Sequence, residues 1–182
     1  MNMSQANPNK AGSSAGADAG NPKVEEIRED AWRSYEVLNE LVNGVLEQLE
    51  PEKLYASPGG DEWTIMENLV HIVEFMPYWA NEIAELVVQP GKSFGRTQQD
   101  EGRLGALRDH GHDSLEQVRA AMPGSYARLQ EVLGSLKDSD LEITGMHVRL
   151  GEKSLAWFIE DFVTGHLRAH LEQIQKTLEE VK

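Results

Sequence analysis

An all-α four-helix bundle is the fold this sequence predicts, and three observations carry it. Four long stretches place apolar residues at three-and-four spacing, capping residues and prolines divide them, and a length of 182 residues favours one domain with a real core. Four helices of roughly 20 residues, about 30 Å long at 1.5 Å per residue, bury one stripe each by packing together.

Residues 1–23, rich in Gly, Ala, Ser and Asn, hold too little apolar surface to offset the entropy of ordering and read as a disordered tail; the bundle is expected over 24–182. The first stripe is Ile27, Ala31, Tyr35, Leu38, Leu41, Val42, Val45 and Leu49, ended by Pro51. Pro58-Gly59-Gly60 marks a turn, and Thr64 with Glu67 has the spacing of a capping box opening a second helix that runs to about Val88. Its stripe is Ile65, Leu69, Ile72, Met76, Trp79, Ile83 and Leu86. His71 lies at the stripe's edge beside Asn68, Phe75 and Tyr78, and Pro77 is expected to kink the helix.

Gln89 to His112 is a long polar connection with room for a short helix around Leu104 and Leu107, so the helices on either side need not be antiparallel neighbours. Asp113 with Glu116 resembles a cap for the third helix, whose stripe includes Leu115, Val118, Met122, Leu129, Val132 and Leu136. Pro123-Gly124 predicts a kink in it, or a division into two helices. Residues 137–153 are irregular, with a small hairpin expected within Ile143 to Leu150 around Gly145, and Ser154 caps the last helix.

Composition narrows the function. The net charge of -14, from 31 acidic against 17 basic residues, repels phosphate backbones, and no Lys/Arg stripe is interleaved with aromatics. Nucleic acid is not an expected partner. With no cysteine, a metal must be held by His, Asp or Glu. No segment has the continuous apolar run of a signal peptide or a membrane span, so the expected location is cytoplasmic, with no membrane partner.

The last helix carries His166 and His170 inside the stripe of Phe158, Ile159, Phe162, Val163 and Ile174, with Asp161, Arg168, Glu172 and Gln175 opposite. A four-residue spacing places two imidazoles one turn apart on one face, close enough to chelate one ion. Satisfied core histidines, bonded to backbone or to Gln173 and Thr177, are the alternative. The inward-edge His71 favours the metal, since three imidazoles from two helices leave a position open for water or substrate.

Trp63-Thr64-Ile65-Met66-Glu67-Asn68-Leu69-Val70-His71-Ile72 resembles the W-[ST]-x-x-E-x-x-x-H opening of the second helix in the DinB/YfiT-like family of small metal-binding bundles. His166-x-x-x-His170-x-x-Gln173-Ile174 is similar to its last-helix H-x-x-x-H-x-x-Q-I pattern. The resemblance implies an up-down-down-up bundle with the long connection between helices 2 and 3. It also implies metal ligands His71, His166 and His170, and a divalent ion, nickel or zinc foremost and then iron. Relatives of this type include bacillithiol-using thiol S-transferases and mycothiol-dependent isomerases. A small-molecule substrate, with a low-molecular-weight thiol among the candidates, and a homodimer are therefore expected. Pro123-Gly124 and the tail before Val24 depart from the family pattern.

The reading that follows is a metal-dependent enzyme catalysing hydrolysis or thiol S-transfer, with a non-catalytic metal-binding or stress-related homodimeric bundle as the alternative. Gln173, Glu67, Asn68 and Glu74 are the candidates to orient the imidazoles, Gln173 first because it is polar on the buried stripe. Glu74 is also a candidate general base, although the helical wheel turns it toward solvent. Trp63, Tyr78, Trp79 and Trp157 are candidate pocket aromatics. A rival cluster, Asp109-His110-Gly111-His112-Asp113, reads more simply as a solvated loop, and the solitary His147 as a surface or pocket-rim residue.

Overall fold

The computed structural model describes residues 20–60 and 62–181, so the expected tail falls almost wholly outside the described residues. Pro22 opens α1 (Pro22–Asn43), where its fixed φ and missing N–H suit the first turn. The regular helix stops at Asn43, earlier than the stripe suggested, and the chain continues in turns that still bury Leu46. Pro51 opens a further short helix, α2 (Pro51–Leu54), for the same reason as Pro22.

The second long helix, α3 (Ile65–Val88), starts on the expected capping box: the Glu67 amide donates to Thr64 Oγ1 at 3.1 Å and the Thr64 amide to Glu67 Oε2 at 2.8 Å. The connection after α3 holds strand β1 (Ser93–Phe94) and helix α4 (Glu101–His110), the latter capped by Asp100. The next helix, α5 (Leu115–Ser135), is capped by Ser114 with Gln117, not by Asp113. It runs as one helix through Pro123, which is exposed, as expected of a single third helix, and the alternative of two shorter helices does not occur.

A 3-10 turn (Asp138–Glu142) leads into the hairpin β2 (Thr144–His147) and β3 (Gly151–Ser154). Gly145 is not at the turn but inside β2, where an added Cβ would meet Leu86 at 2.9 Å; the turn is residues 148–150, and Gly151 has φ +74°. β1 adds to β2 in parallel, making a three-stranded sheet in the order β1-β2-β3 that ties the long connection to the segment before the last helix. That helix is α6 (Leu155–Ile159), a π turn (Glu160–Thr164) and α7 (Gly165–Val181).

α1 and α3 each pack on both α5 and α7, which closes a four-helix ring around Leu38, Ile72, Met76, Leu129, Leu133 and Ile174. α4 lies against α3 on the outside. No helix among the described residues is long and apolar enough to cross a membrane.

Candidate metal centre

The capping box sets the phase of α3 so that Asn68 and His71, three residues apart, both point into the bundle; Asn68 is fully buried and His71 is 4 % exposed. Opposite them α7 presents His166 and His170. His71 Nε2 lies 3.2 Å from His166 Nε2, and His170 Nε2 also lies 3.2 Å from His166 Nε2. Three ring nitrogens thus meet at one point, the only such group of potential metal donors among the described residues.

A hydrogen bond behind the His170 ring decides which of its nitrogens carries the proton. Asn68 Nδ2 donates to the Thr64 carbonyl at 2.9 Å and the Trp63 carbonyl at 3.4 Å, which leaves Asn68 Oδ1 as an acceptor. His170 Nδ1 lies 2.7 Å from that oxygen and must therefore donate, so its Nε2 faces the cluster as a bare lone pair. His71 Nδ1 makes no hydrogen bond, but Glu74 Oε2 faces it at 3.6 Å, and the carboxylate's charge favours a proton on that side, which turns the Nε2 lone pair inward.

His166 Nε2 lies between the other two, and a proton on it can serve only one of them at a time, whereas a cation at that point is bound by all three. Imidazole nitrogens around a tetrahedral ion, each about 2.0–2.1 Å from it, sit roughly 3.3 Å apart, which matches the two distances to His166 Nε2. Protons are poor substitutes. Burial, then His71 and two nearby arginines, pushes His166 down to about 4; burial, then His166 and His71, pushes His170 to about 2. His71 is lowered too, chiefly by burial. The donor set, its geometry and its neutrality fit a divalent ion.

Glu74 departs from its expected place. It is mostly covered, because Arg96 from the long connection grips both carboxylate oxygens at 2.6 Å. Burial alone would raise its pKa, but His71 and Arg96 beside it hold it down to about 2. Gln173 lines the cavity beside the histidines but bonds none of them, so the support of His170 falls to Asn68. The rival cluster does not assemble: His110 is exposed and paired with Asp113 at 2.9 Å, and His112 lies against Tyr55.

Above the three imidazoles opens a cavity of about 660 Å³. Trp63 packs edge-on to His71 at 5.1 Å and parallel to His170 at 5.7 Å, while Phe75 covers His166 at 4.9 Å. Trp79 lines it; Tyr78 instead packs under Arg96 at 3.8 Å, and Trp157 lies against Phe158 and Phe162 outside it. His147 proves to be a wall of the same cavity, 4 % exposed and stacked on Phe162 at 5.1 Å. Arg96, Arg103 and Arg149 complete the lining, and no periodic pattern in the sequence marked them.

A family model for the DinB superfamily matches residues 34–174. Among solved structures the chain is similar to YfiT from Bacillus subtilis, described as a probable metal-dependent hydrolase with an unusual four-helix bundle topology. The TM-score is 0.65 at 13% identity, covering 97% of this chain and 95% of that one. It is also similar to an uncharacterized protein from Clostridium difficile 630, with a TM-score of 0.59 at 13% identity, covering 90% of this chain and 98% of that one. No curated protein matches the sequence.

Proposed function

Because the chain belongs to the DinB superfamily, we propose that it is a metal-dependent enzyme in which His71, His166 and His170 hold a divalent ion and the cavity above them receives a small-molecule substrate. The observation that carries this reading is the convergence of three imidazole Nε2 atoms, those of His71 and His170 each 3.2 Å from that of His166, below an open cavity. A divalent ion with an open position supplies Lewis-acid activation of a water, a thiol or a carbonyl group, which suits hydrolysis or thiol S-transfer. All-imidazole ligation accepts zinc, nickel and iron.

The chain's own groups have definite tasks in this scheme. Asn68 fixes the His170 ring and its tautomer, and Glu74 takes the outward face of His71. Trp63 and Phe75 exclude water from two sides of the histidines, which strengthens every charge interaction there. Arg96 keeps Glu74 ionised and pointed inward, so its proton affinity is too low for a general base near neutrality. Gln173, on the cavity wall without a partner among the described residues, is available to the substrate.

Elemental analysis of untagged protein tests the metal. Stoichiometric divalent metal in the parent and its loss in His166→Ala are expected; equal content in both variants overturns the reading. Hydrolysis and thiol-transfer panels then follow, where activity is expected to disappear on chelation and return with metal. A folded, metal-loaded protein inert in every panel, but unfolded by chelators, assigns the ion to structure instead.

A further inference from the structure

The charge of the cavity wall is opposite to that of the molecule. The chain carries -14, yet Arg96, Arg103 and Arg149 line the cavity against one rim carboxylate, Asp161. Arg96 is neutralised by Glu74. Every other arginine outside this cavity lies within salt-bridge distance of a carboxylate. Arg103 and Arg149 alone do not, among the described residues.

The Arg103 side chain and the Arg149 backbone are held in place without an anion. The Arg103 guanidinium lies over the Trp63 ring, 4.9 Å from its centroid, and donates to the Gln98 carbonyl at 3.0 Å. Arg149 sits in the turn between β2 and β3, and the buried His147 builds that turn: its Nδ1 accepts from the Arg149 and Leu150 amides, each at 3.2 Å. In a chain with acidic residues in large excess, two arginines lacking carboxylate partners in the lining of one cavity is a local arrangement, not a consequence of composition. A guanidinium presents a planar fork of donors matched to oxyanions.

We propose that the substrate is a small acid whose carboxylate or phosphate docks on Arg103 and Arg149, which turns its reacting group toward the three histidines. The proposal rests on the cavity being the substrate site. The overall negative charge then selects by size as well as sign: a small acid reaches the local positive wall, whereas an extended polyanion is repelled by the rest of the surface.

Calorimetric titration of the full chain as purified tests this, with succinate, inorganic phosphate and the neutral succinamide as probes, and with metal content measured on the same samples. Succinate or phosphate is expected to bind and succinamide not. Arg149→Gln and Arg103→Gln are each expected to weaken the anion at least tenfold at unchanged metal content and unchanged circular dichroism. The tighter anion identifies the docking group as carboxylate or phosphate. Arg149 is exposed in a turn, so its variant folds even if loss of the Trp63 contact disturbs Arg103→Gln. Failure of both anions to bind, anion affinity indifferent to Arg149→Gln, or succinamide binding as well as succinate overturns the proposal, whatever the metal content. Arginine-dependent binding in protein that holds no metal sustains the anion site and overturns the metal reading instead.

Discussion

His170 Nδ1 and Asn68 Oδ1 lie 2.7 Å apart, a buried hydrogen bond between helices α7 and α3 that joins residues distant in sequence. Because Asn68 is itself held by the Trp63 and Thr64 carbonyls, the bond dictates which nitrogen of His170 faces the cluster. Asn68→Leu removes it while keeping the volume. Metal affinity, measured by competition with a chromophoric chelator, is expected to fall about 10- to 100-fold, as for other partners that orient a ligating imidazole. Chemical denaturation is expected to show a loss of about 1–3 kcal/mol from the carbonyls and ring nitrogen left unpaired.

Arg96 joins the long connection to Glu74 and, through it, to the back of His71. Arg96→Met strands a mostly covered carboxylate, and urea unfolding is expected to register a loss of about 3 kcal/mol. Adding Glu74→Met in the same chain removes the stranded charge and is expected to restore most of that loss. Additive losses in the double variant would contradict the pairing.

The metal-free protein is expected to lose stability in acid. Unfolded imidazoles titrate near 6.5, whereas His166 is held near 4 and His170 near 2 in the fold, so above 6.5 both states are neutral and the contribution is whole. Below 6.5 the unfolded chain takes up protons that the folded chain refuses, and stability falls as the pH moves down toward the folded values. Glu74 also has a depressed pKa, but its contribution is present above about 4.5 and is lost only as the pH falls through about 2. Thermal melts in chelator should therefore be level from pH 8 to 7 and decline between 6.5 and 4.5. His166→Phe should flatten that decline.

Gly165 precedes the first α7 ligand at the end of the π turn, where its amide bonds the Glu160 carbonyl. An added Cβ would lie 2.5 Å from that carbonyl oxygen, too close without moving the backbone next to His166. Gly to Ala normally stabilises a helix by up to about 1 kcal/mol. Gly165→Ala is expected to do the reverse, costing about 1–3 kcal/mol and weakening metal binding. Gly124→Ala in α5, where nothing lies within 4 Å of the new Cβ, is the control and is expected to follow the normal rule.

The contrast between these glycines shows how far sequence reading reaches. Helical spacing located the long helices because each must bury one stripe, and Thr64 with Glu67 placed the start of α3 because capping is a local, three-residue interaction. The same locality sets the limits. Pro51 and Pro123 are punctuation signals whose effect depends on what surrounds them: one opens a helix, and the other is carried by α5, which packs continuously against α3. The π turn before Gly165 has no periodic signature, since a single wide turn changes the phase only once.

By itself the sequence determined the bundle, the absence of thiol ligands and the inward placement of His71, His166 and His170, all of which follow from helical period and composition. Only the tertiary structure decided that their Nε2 atoms meet, that Asn68 and not Gln173 orients His170, and that Glu74 turns inward to Arg96. It also decided that His147 and two arginines without carboxylate partners wall one cavity. The physical reason is range: burial periodicity is a property of each helix alone, whereas ring orientation, ion pairing and cavity charge depend on residues brought together by packing across the bundle and the small sheet.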